Sequence, residues 1–84
     1  MQWRIVIDYT YNSTGNATTA VNAINSALNA FTDIEDVATR TGSTVNFLTV
    51  VDTQTLATQV MNALTSAWAV GTRNTGRASC VVIP

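Results

Sequence analysis

The stretch "TVNFLTVVD", residues 44–52, is apolar at Val45, Phe47, Leu48, Val50 and Val51. Successive side chains of a β-strand point to opposite faces, so Val45 and Phe47 share one face while Leu48 and Val50 share the other. A strand this apolar on both sides leaves a hydrophobic surface wherever one side is left in water. The same stretch also opens a helix. Asp52 stands where an N-cap belongs, and Leu56, Val60, Leu64 and Ala67 or Trp68 follow at helical spacing. The spacing predicts a helix ending near Val70, with Gly71 placed to take the left-handed conformation that closes helices. Beyond it, "GTRNTGR" (71–77) reads as a polar loop. "ASCVVIP" (78–84) reads as a last strand, with Pro84 at its end where a missing donor does no harm.

Towards the N-terminus, Gly42-Ser43 marks a tight reversal. The preceding "TDIEDVATRTG" (32–42) predicts a short edge strand over 34–41, whose acidic start discourages unwanted pairing. Before that, Val21, Ile24, Leu28 and Phe31 recur at spacings of three and four, and Ala17, Ala20, Ala23, Ala27 and Ala30 supply strong helix formers. "YNSTGNATT" (11–19) is a loop rich in N-cap residues. In "QWRIVIDYT" (2–10), Trp3, Ile5, Ile7 and Tyr9 alternate with Arg4, Val6 and Asp8, the period of a strand.

The resulting order, β, α, β, β, α, β, is the split βαβ arrangement. Right-handed crossovers then lay both helices on one face of a four-stranded antiparallel sheet. In topology this resembles the ferredoxin-like fold over nearly the whole chain, as a single α+β domain, and a topology of this kind carries no function by itself. The motifs of commoner families with this outline are absent. Cys80 has no partner cysteine, Phe47 belongs to no glycine-aromatic run with basic residues, and the loop after the first strand holds no arginine. No named family is recognised in these residues.

Composition narrows the function classes. With 84 residues the core is small, and chains of this size commonly need a disulfide, a metal or a partner subunit. One cysteine and no histidine remove the first and the usual form of the second. Self-association is left. Lysine is absent, charged residues make up 11%, and the net charge is −1, so neither duplex nucleic acid nor an anionic membrane is an expected partner. The apolar run after Met1 breaks at Asp8, which predicts no export signal and a cytoplasmic protein. On that expectation the acceptor patterns at Asn12 and Asn16 carry no glycan. No cofactor is expected.

If Ile5, Ile7, Val45, Phe47, Cys80 and Val82 face the helices, the reverse face presents Val6, Leu48, Val50 and Val81, joined by Val37 and Ile83. That patch predicts a homodimer packed sheet to sheet. Such dimers resemble dimeric α+β barrels, some of which enclose a pocket, so a minimal enzyme is one alternative. A second alternative is a sequestering protein for a small anion. It would use Arg40, Arg73 and Arg77, with Thr14 and Asn16 at the start of the first helix, because forked guanidinium donors and helix N-termini suit phosphate or carboxylate. Asp8 with Tyr9 or Tyr11 is the nearest approach to an acid-base group, and without histidine a non-enzymatic role is expected. Asp33, Glu35 and Asp36 lack the glycine-bearing loop of alternating ligands that a hard cation needs. Cys80, among β-branched neighbours, reads as a buried inert thiol, and Trp68 as core.

Overall fold

The alternation along 2–11 and 44–51 produces two long central strands, and the rest of the chain is arranged around them. A computed structural model describes the backbone of all 84 residues and every side chain except that of Asn74. Its elements are β1 (Gln2–Tyr11), α1 (Thr14–Leu28), β2 (Thr39–Thr41), β3 (Thr44–Val51), α2 (Gln54–Trp68) and β4 (Arg73–Ile83). The strands form one antiparallel sheet in the order β2-β3-β1-β4, with both helices on one side. This is the ferredoxin-like α+β fold. No helix among the described residues is long and apolar enough to cross a membrane.

Register fixes the faces. Ile5 lies opposite Thr49 and Cys80, and Ile7 opposite Phe47 and Ala78, so these residues point towards the helices. Ile5, Ile7, Val45 and Phe47 are buried there against Ile24 of α1 and Val60 and Leu64 of α2. Tyr11 closes one end of this core by donating its hydroxyl to the carbonyl of Trp68, which is itself buried. Burial pushes the Tyr11 hydroxyl above its ordinary value of 10.0, with Arg73 acting against the shift and Tyr9 reinforcing it. A raised folded-state value means the neutral tyrosine is favoured by folding. Stability is therefore full below pH 10 and falls as pH rises through the folded value. Tyr11→Phe is expected to cost about 1–2 kcal/mol at neutral pH and to flatten that alkaline fall, as read by urea denaturation across pH.

Four boundaries depart from the sequence reading. The N-cap of α2 is Thr53, whose hydroxyl accepts from the Leu56 amide, while Asp52 accepts instead from the Gln2 side chain. The helix ends at Trp68, and Gly71 is not left-handed. A side chain there would meet Asn16 at 3.0 Å and Tyr11 at 3.2 Å, so glycine serves close packing rather than helix closure. The edge strand predicted over 34–41 shrinks to Thr39–Thr41, because the Asn25 side chain of α1 takes both backbone groups of Ala38 (2.8 and 3.1 Å). Finally, 73–77 is strand rather than loop. β1 is ten residues long, and β4 extends to pair with all of it.

Candidate functional site

The loop after β1, the turn between β2 and β3 and the loop before β4 gather at one end of the sheet. The Tyr11 amide donates to Ser43 (2.8 Å), and the Asn12 amide to Thr72 (3.0 Å). Yet the three arginines do not converge on this end. Arg40 sits on β2, at the opposite edge from β4, and gives one donor to the Gly42 carbonyl (2.7 Å). Arg73 and Arg77 would share a face in a regular strand, being four apart. Between the pairs Thr10–Thr75 and Tyr11–Arg73, β4 contains one residue more than β1, and this bulge reverses the face. Arg73 therefore lies over the Tyr9 ring at 4.9 Å on the helix side, whereas Arg77 lies opposite Asp8 on the open side.

The aromatic neighbours explain where Arg73 rests. Tyr9 stands 6.1 Å from Trp68 and 6.4 Å from Tyr11, forming a small stack whose outer ring meets the guanidinium. A shallow hollow of about 320 Å³ opens beside it, lined by Tyr9, Arg73, Thr75 and Gly76. Thr14 and Asn16 begin α1, but the Asn16 side chain is turned to Asn12 and its amide to the Ser13 hydroxyl, the helix N-cap. Asp8 is exposed on the open face, and Tyr9 and Tyr11 lie on the other, so the carboxylate and the phenols cannot act on one substrate. Asp36 accepts from the Thr49 hydroxyl (2.8 Å), and no group of three metal-ligating side chains forms among the described residues.

On the helix-free face, Val6 lies opposite Leu48, and Arg4 lies between Val50 and Val81. Leu48 is 57% exposed, Val50 45% and Val81 47%, and Val37 borders the same surface beside Leu48 and Val6. The apolar band ends at the polar row of Asn46, Asp8 and Arg77, beyond which Thr10 bonds Thr44 (3.0 Å) and Thr41 and Thr75 extend a second polar line. Arg4 at the band's centre was readable from its parity with Val6, although nothing in its neighbours singled it out.

A second apolar surface was not foreseen. Cys80 is exposed and Val82 is 46% exposed, although both point to the helix side as expected. The cause is helix placement. The alanines of α1 and α2 let the two helices settle against each other over the central strands, and the outer strand β4 is left uncovered. A groove of about 610 Å³ runs between α2 and β4, lined by Trp3, Ala57, Met61, Cys80 and Val82 with Met1 at its mouth. The buried inert thiol of the sequence reading is therefore corrected to an accessible one. Compared with known proteins, the chain matches no family model, no curated protein and no solved structure.

Proposed function

We propose that this chain is a small non-enzymatic binding or structural module that works as a homo-oligomer, two copies packing through the helix-free faces of their sheets. The cluster of Val6, Leu48 and Val50 on the two central strands, with Val81 of β4 on the far side of Arg4, is the observation that carries this reading. Each half-exposed leucine or valine that loses its remaining water contributes about 1 kcal/mol. The charges set the direction. Arg4 and Asp8 flank Val6 on the same strand and face, so reversed β1 strands bring each Arg4 beside the partner's Asp8, while parallel ones would oppose arginine to arginine.

Sedimentation over a micromolar dilution series tests it. The wild-type chain is expected above its 9.0 kDa monomer mass, with Leu48→Asp weakening association at least about tenfold. Arg4→Glu should weaken it comparably and Arg4→Glu/Asp8→Arg restore it. A single 9.0 kDa species throughout the series would sink the reading.

A second reading, capture of a small anion, draws support from Arg73 alone, held over Tyr9 at the mouth of its hollow. Calorimetric titration with inorganic phosphate tests it, with Arg73→Ala as the comparison. Absence of heat from the wild-type chain removes the reading.

A further inference from the structure

We infer that the free edge of β4 pairs antiparallel with β4 of a second copy, joining two sheets into one of eight strands with all helices on the same side. The sheet has two edges, and they are treated differently. The β2 edge is three residues long, has Arg40 at its centre and is preceded by Glu35 and Asp36. Length, charge and acidic flanks all discourage pairing there. The β4 edge runs for eleven residues, and from Ala78 to Ile83 it contains no charge, no proline and no shift of register. Its outward backbone donors and acceptors are satisfied by another strand or by water alone.

The surroundings select the occupant. The groove beside β4 has Gln54, Thr58 and Asn62 on its helix wall and Trp3, Met61 and Val82 among its apolar residues, but no charged side chain, so its complement is an uncharged strand. The run 78–83 is one: it presents Ala78, Cys80 and Val82 to the helix side and Ser79, Val81 and Ile83 to the open side. Paired about a two-fold axis normal to the sheet, it continues both faces, and Cys80 and Val82 of each copy extend the floor of the other's groove. Charge fixes the direction. Parallel pairing would set Arg73 against Arg73 and Arg77 against Arg77, whereas antiparallel pairing centred near Cys80 separates the two Arg77 residues by about 20 Å. A specific interface removes about 800 Å² per copy, roughly a sixth of the 4798 Å² that this chain exposes. Centred near Cys80, residues 77–83 of each edge and the groove supply contact towards that amount, with Arg77 at the end of the paired run.

This edge pair stands independently of the open-face packing. Its axis is normal to the sheet and the face axis lies in the sheet plane, so the two close into a tetramer of two eight-stranded sheets with helices outside where the axes intersect, and into an open array where they do not.

Cys80 is the natural probe. Registers centred on Ser79, Cys80 or Val81 all leave the two Cys80 side chains directly or diagonally opposite, within about 8 Å. A short bismaleimide is therefore expected to link two chains through Cys80 at low micromolar concentration, in the wild type and equally in Leu48→Asp. Val82→Lys, which places a charge in the edge, should reduce the linked fraction at least tenfold while leaving circular dichroism unchanged. The same charge left without effect, or a link lost in folded Leu48→Asp, would overturn the edge pair. In the first case Cys80 meets by collision, and in the second the face packing alone brings the chains together. Should the wild type remain unlinked while sedimenting as a dimer that Leu48→Asp dissociates, the edge pair is wrong and the face reading survives.

Discussion

Gly76→Ala is expected to destabilise the fold by about 3 kcal/mol or more, the upper range for forcing a side chain into a backbone region that only glycine tolerates. Gly76 has φ +125 and lies opposite Tyr9 in the β1–β4 ladder. A β-carbon there would overlap the Asp8 carbonyl oxygen and stand 2.6 Å from the Tyr9 α-carbon. Those are backbone atoms of the central strand and cannot swing aside. Gly42 is the control. It also has positive φ, at 62, but nothing lies within 4 Å of its added β-carbon, so Gly42→Ala should cost only about 1–2 kcal/mol of conformational strain. Urea denaturation of the two variants separates the terms. Equal losses would mean that the close approach of β4 to β1 is not what glycine provides. Folding free energies of small domains are about 0.05–0.15 kcal/mol per residue, so the larger loss removes a substantial part of this one's stability.

That glycine also shows how far parity could be followed. Ile5, Ile7, Val45 and Phe47 against Val6, Leu48 and Val50 were separable on sequence alone, because period two is unbroken along both central strands. The same counting fails past Gly76. Two glycines, threonines and arginines in 71–77 carry the composition of a loop, and only the length of β1 makes that segment a strand. The bulge within it then turns Arg73 and Arg77 to opposite faces. A bulge leaves no periodic mark, so a cluster of arginines in sequence became two separate positions in space. Cys80 and Val82 failed for another reason. Their facing was right, but whether a helix covers them depends on how closely α1 and α2 pack, a tertiary outcome of alanine placement on both helices.

The Asn25 side chain ties the end of the segment between α1 and β2 to α1, and Asn25→Ala is expected to cost about 3 kcal/mol. Asn25 accepts from the Ala38 amide at 2.8 Å and donates to the Ala38 carbonyl at 3.1 Å. Ala38 is 4% exposed, so truncation strands two backbone groups that water reaches poorly, each worth about 1–3 kcal/mol unless the segment moves. Phe31 and Ile34, packed on the core from the same segment, resist that movement. Asn25→Asp separates hydrogen bonding from packing. An ionised carboxylate still accepts from the amide but opposes the carbonyl, so at neutral pH it should be nearly as damaging as alanine. Its protonated form regains the donor and the shape of asparagine. Folding therefore favours the neutral acid and raises its folded-state pKa above the unfolded value of about 3.9. The recovered stability is full below that unfolded value and is lost as pH rises through the folded one. Relative to the wild type at each pH, Asn25→Asp should regain most of its deficit between neutral pH and about pH 4, while Asn25→Ala stays unchanged. A deficit in Asn25→Asp that ignores pH would mean that the paired bonds to Ala38 do not hold this segment against α1.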